Sequence, residues 1–323
     1  MAGKRFLLVF CASVAAGVGV LALLLLILDP FDRGHGLFAK RGTLERGPRT
    51  ANVSRGRDPA FNAAVFGNSH IQLLKPERLN AATGLSWVQL TVPATMPDEQ
   101  VIVMHWFLHN HPGSSKALVI GTDHFWCNAD PNLSSKHPFP RWLYSLEPVS
   151  YYSNLFRMQA VRLMPRKVSF LLGQTKARPT DGYWDYEAYR TRNEAQLLKE
   201  AEAARSAPLW NETGKYPWIE RLARELAALD RRIAVILVAP PHFQPGMPPQ
   251  GSAQAQAERA CAAQLATVAR NRPGTAFLDM RADRDAFSNP AHFWDTTHYS
   301  ADVARAIETE IAKALRSIEA SGK

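Results

Sequence analysis

Cysteine is scarce in this chain, which has only Cys11, Cys127 and Cys261 among 323 residues. No two of them form a C-x-x-C pair, and this argues against a structural zinc site. Cys11 lies inside the first apolar segment, so a disulfide bond would have to join the other two. Two alternatives stay open for that pair, a disulfide in an oxidising compartment or two buried free thiols.

Signatures of nucleic-acid binding are also missing. The chain has no zinc-finger spacing, no RNA-binding motif and no lysine-dense tract, so we expect no nucleic-acid partner. The formal net charge is nevertheless +9, and a basic surface then points to anionic headgroups or an anionic glycan. With 46% hydrophobic and 21% charged residues, the composition excludes wholesale disorder and allows a packed core.

Charge is absent from Phe6 to Leu28, a run of 23 residues. A bilayer core takes about 20 apolar residues, so this run predicts a membrane-spanning helix. No small-x-small cleavage site follows it, which favours an uncleaved anchor over residues 1–28 rather than a signal peptide. Residues 29–59 are rich in Gly and Arg without a helix or strand period, and they are predicted to form a basic linker.

The charges beside the anchor do not decide its orientation. Two basic residues precede the span and favour a cytoplasmic N-terminus, but four follow it within about 20 residues. These are Lys4 and Arg5 before the span, and Arg33, Lys40, Arg41 and Arg46 after it. Long domains cross a membrane largely regardless of such charges, so the pattern leaves the side open.

From residue 60 onward, short apolar runs alternate with helical segments. Five runs are predicted to be strands: FNAAVF, SWVQLTV, KALVIGTD, RIAVILVAPP and GTAFLDM. Alternating strands and helices predict an α/β fold of about five parallel strands, a doubly wound three-layer sandwich of the flavodoxin-like kind. We expect this domain over residues 60–323. An aromatic-rich insertion at about 124–210 is expected to shape a site at the carboxyl ends of the strands.

Two short motifs follow strands of this predicted sheet. GNSH places Ser69 after the first strand, and DTTH places Asp295 and His298 after the fifth. A serine nucleophile needs a base within hydrogen-bond reach and a carboxylate that orients the base. The pattern therefore predicts Ser69 as nucleophile, His298 as base and Asp295 as the orienting carboxylate. The structural alternatives are a simple turn at Ser69, a capping aspartate and a core histidine.

Together, GNSH near the first strand and DTTH near the C-terminus resemble the motifs of the SGNH/GDSL hydrolase superfamily. The N-terminal anchor is similar to that of membrane-tethered members that act in D-alanylation of lipoteichoic acid or O-acetylation of alginate. The resemblance implies an esterase or O-acyltransferase that acts on an acylated cell-envelope glycan through an acyl-serine. It implies a single-pass inner-membrane protein with a periplasmic or extracellular domain. It needs no metal or organic cofactor, and a multi-spanning membrane O-acyltransferase is a candidate partner.

In that family, the serine N–H, a glycine N–H and an asparagine side chain stabilise the oxyanion. Here Ala94 stands where the glycine is expected, and Asp123 stands near the place of the asparagine. An ionised carboxylate repels a developing oxyanion, so Asp123 is protonated or turned away, or Asn128 substitutes for it. Further candidates for contact with the oxyanion or the substrate are Asn68, His70 and His242.

A function from another class stays open. The domain would then be a non-catalytic assembly factor that binds a glycan or a membrane O-acyltransferase, with an inactive triad. The aspartate at position 123 favours this alternative, since a lost oxyanion donor costs about 10²- to 10³-fold in rate. Activity on a soluble aryl acetate distinguishes the two.

Overall fold

The computed structural model describes residues 2–34, 36–38, 41–45, 47–282 and 285–321. Lys40 and Arg46, counted above beside the anchor, lie outside the described residues. The chain divides into two compact units. One comprises Met1–Arg57 and Pro140–Thr180, and the other Asp58–Phe139 and Asp181–Lys323. The segment predicted as one insertion, residues 124–210, is therefore shared between the two units.

The element bounds are as follows. The first unit has helices α1 (Ala2–Leu28), α2 (Pro48–Arg55), α5 (Arg141–Tyr144), α6 (Pro148–Asn154) and α7 (Met158–Leu171). The second unit has helices α3 (Pro76–Thr83), α4 (Pro97–Asn110), α8 (Glu194–Ser206), α9 (Pro217–Ala228), α10 (Ala253–Asn271) and α11 (Ala301–Ser321). Its strands are β1 (Ala63–Phe66), β2 (Trp87–Gln89), β3 (Ala117–Gly121), β4 (Ala234–Ala239) and β5 (Thr275–Asp279).

The five strands form one all-parallel sheet in the order β2-β1-β3-β4-β5. This confirms the predicted α/β class with a five-stranded parallel sheet. Strand β2 pairs with one edge of β1, and β3 pairs with the other edge. The direction in which strands are added to the sheet therefore reverses between β1 and β3. In open α/β sheets, the crevice at such a reversal, beyond the carboxyl ends of the strands, is where ligands bind.

Side chains of the strands alternate between the two faces of the sheet, and both faces are packed against helices. Ala63, Val65 and Val119 belong to the cluster that packs against α3 and α11. The neighbouring position Phe66 points the other way, and its ring lies 5.9 Å from that of Phe107 on α4. Because successive side chains of a strand point to opposite faces, the continuous apolar runs in the sequence are explained by burial on both sides.

The second strand is shorter than the sequence predicted. The apolar run covers residues 86–92, but β2 ends at Gln89. The backbone N–H groups of Leu90 and Val92 still donate to Val65 and Gly67 at 2.8 and 2.9 Å. The chain after β2 therefore stays alongside β1, up to the point where β1 ends.

In the first unit, α1 holds a 26-residue segment, Gly3–Leu28, that is long and apolar enough to cross a membrane. It packs against α7 in the same unit. The predicted linker contains a helix that the sequence pattern did not indicate, α2, with Pro48 at its first position. Asp32 holds the connecting segment, because its carboxylate accepts from Gly42 N–H and from Ser54 Oγ at 2.9 and 2.6 Å.

Candidate active site

The serine turn depends on a glycine that tolerates no side chain. Gly67 follows β1 with φ +148°, in the region that favours glycine. A Cβ there would lie 2.6 Å from Ile71 Cγ2, which is shorter than any van der Waals contact. The turn leads directly into a short 3-10 helix, Ser69–Ile71. Within the described chain, the backbone N–H of Ser69 has no hydrogen-bond partner.

Ser69, His298 and Asp295 form a continuous hydrogen-bonded chain. Ser69 Oγ lies 2.8 Å from His298 Nε2. On the other side of the ring, His298 Nδ1 lies 2.8 Å from Asp295 Oδ2. An ionised carboxylate can only accept, so Nδ1 carries the ring proton and Nε2 accepts from the serine hydroxyl. These are the tautomer and the geometry that a general base requires.

The DTTH turn holds its own carboxylate in place. Asp295 Oδ1 accepts from the backbone N–H groups of Thr297 and His298, each at 2.9 Å. Burial raises the pKa of Asp295, but the hydrogen bond and charge of His298 and the hydrogen bond from Arg190 outweigh it. The net result is a pKa well below its usual range. The carboxylate is therefore ionised at any pH at which His298 titrates.

Burial also sets the protonation of the candidate base. It lowers the pKa of His298, and the charges of His70 and Arg190 act in the same direction. The hydrogen bond to Asp295 opposes this shift without reversing it. His298 is therefore neutral at pH 7 and able to accept a proton.

Two residues beside the triad were missed by sequence reasoning. Arg190 Nη1 donates to Asp295 Oδ2 at 2.8 Å, and its guanidinium lies over the ring of Tyr186. Tyr186 Oη donates to the backbone oxygen of Tyr299 at 2.9 Å. The ring of Tyr186 meets that of His298 edge-on, with the centroids 5.6 Å apart. Both missed residues come from the aromatic-rich segment, but no motif spacing connects them with DTTH.

Ala94, the candidate for the missing glycine, has a backbone conformation that suits glycine. Its φ is +55°, a region that costs L-residues roughly 1–2 kcal/mol. Its carbonyl accepts from Ser135 Oγ at 2.7 Å. The nearby bond from Val92 N–H to Gly67 O, at 2.9 Å, keeps the Ala94 loop beside the serine turn.

Asp123 is held by donors on the inside of the site. Its carboxylate accepts from the Asn68 side-chain amide, from His70 Nδ1 at 3.0 Å and from Phe125 N–H at 3.1 Å. Burial raises the pKa of Asp123, but the hydrogen bond and charge of His70 and the bond from Asn68 outweigh it, so the pKa is lowered. Of the three alternatives stated above, protonation of Asp123 is disfavoured.

Asn68 is bonded through both ends of its amide, and Asn128 through its oxygen. Asn68 is buried, and its side-chain oxygen accepts from His70 N–H at 3.0 Å while its nitrogen donates to Asp123. Asn128 Oδ1 accepts from Asp130 N–H at 2.8 Å, which forms a local turn. Both amides therefore stabilise the loops in which they lie.

His70 joins the triad to a second group of rings. Its ring centroid lies 5.1 Å from that of His298 and 6.5 Å from that of His242. Burial lowers the pKa of His124 to about 4 and lowers the pKa of His242 well below its ordinary value. Both rings are therefore neutral at pH 7.

Three of these side chains also have the ligand types of a metal site. One ligand atom each from His70, Asp123 and His124 can be chosen so that all lie within 4.8 Å of one another. The His70 Nδ1 and Asp123 Oδ2 atoms already form a hydrogen bond with each other. A cation bound by both atoms would have to replace that proton. The expected absence of a metal cofactor stays a prediction.

The fold and the site together describe an α/β protein with a parallel sheet and a Ser–His–Asp chain of hydrogen bonds at its carboxyl edge. Comparison with protein-family models and with curated proteins gives no match for this chain.

Proposed function

We propose that this protein is a membrane-anchored SGNH-type esterase or O-acyltransferase that acts on an acylated cell-envelope glycan. The observation that carries the proposal is the 2.8 Å contact of Ser69 Oγ with His298 Nε2, together with the bond of Nδ1 to Asp295. The doubly wound SGNH arrangement is part of the same proposal, and the strand order is compatible with it.

The reaction proceeds in two halves. His298 Nε2 takes the proton of Ser69 while Oγ attacks the acyl carbonyl, and the tetrahedral intermediate collapses to an acyl-serine. The leaving sugar hydroxyl takes its proton from His298. Water or a second glycan hydroxyl then attacks the acyl-serine, with His298 again as base, and Ser69 regains its proton. The N–H of Ser69, which has no hydrogen-bond partner among the described residues, is the first candidate donor to the oxyanion.

An active-site serine probe tests this proposal. A fluorophosphonate should label the full chain in detergent, and labelling should vanish in Ser69→Ala and fall sharply in His298→Ala. Ser317→Ala removes an exposed serine hydroxyl on α11 and serves as the matched control. Equal labelling of Ser69→Ala and the parent would remove the enzyme proposal.

We place the second unit outside the cytoplasm. The support is the disulfide between Cys127 and Cys261, whose Cα atoms lie 5.7 Å apart, because such bonds persist in oxidising compartments. The apolar helix α1 is the anchor in this proposal. A C-terminal alkaline phosphatase fusion should be active and a C-terminal cytoplasmic fluorescent reporter should be dark. The opposite pair of results would overturn this orientation.

The ionised Asp123 favours a second candidate function. It occupies the place where an SGNH enzyme is expected to have an oxyanion donor, and the Asn68 amide is already bonded to it. In this alternative, the protein is a non-catalytic factor that partners a multi-spanning membrane O-acyltransferase. Absence of aryl acetate hydrolysis, together with copurification of such an acyltransferase, would support it over the enzyme.

A further inference from the structure

Four side chains from separate segments of the second unit meet next to His70. The rings of His124, Trp210 and His242 are mutual neighbours, with centroids 6.0–6.3 Å apart. The guanidinium of Arg281 lies over Trp210, with Cζ 5.0 Å from the ring centroid. Trp210, Arg281 and His242 are 2%, 4% and 6% exposed. We call these four residues the arginine–indole cluster.

The cluster contains five buried nitrogens that have no hydrogen-bond partner within the described chain. They are His124 Nδ1, Trp210 Nε1, His242 Nε2, Arg281 Nη1 and Arg281 Nη2. A buried polar group without a partner costs about 1–3 kcal/mol, and native proteins have few such groups. A bound ligand that supplied acceptors to these five nitrogens would remove that cost.

The hydrogen-bonding properties of these nitrogens favour an anionic ligand. Guanidinium and indole N–H groups only donate, and a neutral imidazole can present its N–H on either nitrogen. Arg281 Nε already donates to Asp279 Oδ1 at 3.0 Å, and the two outer nitrogens form a fork with no partner among the described residues. Such a fork matches two oxygens of a carboxylate or a phosphate. The guanidinium charge also disfavours a metal cation at the cluster.

We propose that the arginine–indole cluster is a binding subsite for an anionic oxygen group, a carboxylate or a phosphate. Arg281 also lines a cavity of about 520 Å³ together with Asp279 and Glu258, while its two outer nitrogens are buried. The net charge of +9 would attract an anionic polymer to the protein.

The position of the cluster connects it with Ser69. His70 stands between them, with its ring 5.7 Å from His124 and 5.1 Å from His298. A substrate that occupies the subsite and also reaches Ser69 would therefore have to extend past His70. On the proposed function, on which this step rests, the substrate is an ester that carries a carboxylate or a phosphate.

Calorimetric titration of the full chain in detergent tests the subsite directly. The probes are inorganic phosphate, methyl phosphate and glucuronate, at constant ionic strength in chloride. We expect one of the two chemistries to bind, and affinity to fall about 10- to 100-fold in Arg281→Gln, as expected for charge-assisted hydrogen bonds. Trp210→Phe keeps an aromatic ring at this position, removes one N–H donor and should weaken binding by less than Arg281→Gln. If Arg281→Gln fails to fold, the affinity of Trp210→Phe is used to test the subsite instead.

Arg232→Gln is the matched control, because it removes the same charge from an exposed side chain. The subsite proposal would be overturned if the parent binds no anion. It would also be overturned if Arg232→Gln lowers the anion affinity as much as Arg281→Gln does. Binding of Zn²⁺ with no binding of any anion would also overturn it, in favour of a cation at His70, Asp123 and His124.

Kinetics then separate the subsite from the proposed function. Two kcat/KM values are compared, one for an acetylated uronic acid or acetylated glycan phosphate and one for a neutral aryl acetate. In Arg281→Gln, the ratio of the first value to the second should fall about tenfold or more. It should not change in Arg232→Gln. Arg281-dependent anion binding by a parent that hydrolyses no ester would support the subsite and remove the esterase.

Discussion

Ser69 Oγ and His298 Nε2 lie 2.8 Å apart although 229 positions separate the two residues in sequence. The first follows β1 and the second precedes α11. Because β1 and β5 are parallel strands of one sheet, the loops that follow them emerge at the same edge. Their contact is therefore a consequence of topology, and it makes the site testable by single substitutions.

Removal of either partner should abolish ester hydrolysis. On an aryl acetate, we expect Ser69→Ala and His298→Ala to lower kcat by about 10⁴- to 10⁶-fold, since the pair acts as a unit. Asp295→Asn should cost less than removal of the nucleophile, about 10⁴-fold, because the carboxylate orients the base without touching the reacting atoms. Steady-state kinetics measures all three. A double variant that is much slower than both single variants would contradict action as a unit.

The pH profile should reflect a base with a lowered pKa. The groups that face His298 are Asp295, His70, Arg190 and Tyr186, and burial with the charges of His70 and Arg190 lowers its pKa. A protonated ring cannot accept a proton, so kcat/KM should fall as pH drops through that pKa. The midpoint should lie below the usual histidine value of about 6.5. A midpoint above that value would show that the acid limb belongs to another group.

Arg190→Gln should move this acid limb to higher pH. Its guanidinium charge lowers the pKa of His298 and binds Asp295, so removing the charge makes protonation of the ring easier. Arg192→Gln removes the same charge two positions away, from a side chain that lies over Trp294, and should leave the midpoint in place. Equal shifts in both variants would indicate a general charge effect.

The disulfide should stabilise the second unit. Cys127 and Cys261 enclose a loop of 134 positions, and loss of such a bond costs about 2–5 kcal/mol. We expect reduction, or the variant Cys127→Ser, to lower the melting temperature, whereas Cys11→Ser should not. One reactive thiol in the denatured, unreduced protein is the expected count, and three would contradict the bond.

Replacement of Ala94 by glycine should raise stability. The left-handed conformation at φ +55° costs alanine about 1 kcal/mol, which glycine avoids. Ala263→Gly in the exposed face of α10 should instead lower the free energy of unfolding by about 0.5–1 kcal/mol. Denaturant titration measures both. A loss of stability in Ala94→Gly would show that the loop conformation is not strained.

Much of the fold was predictable because its signals are local. The apolar run from Phe6 to Leu28 determines a helix long enough for a membrane. The five apolar runs became five strands, because burial on both faces of a sheet leaves no alternation to obscure them. Helix α2 was missed, since a helix of eight residues shows little more than two turns of any period.

The candidate active site likewise has a part that local sequence predicts and a part that depends on tertiary packing. By itself, the sequence determined the Asp295–His298 pair, because three positions in one turn bring the carboxylate to the ring. Only the tertiary structure decided that Ser69 meets this pair, that Arg190 binds Asp295 and that Cys127 meets Cys261. It also decided that Arg281 lies over Trp210. Each of these contacts joins segments that are far apart along the chain, and packing of the sheet and its loops, which no local pattern encodes, brings them together.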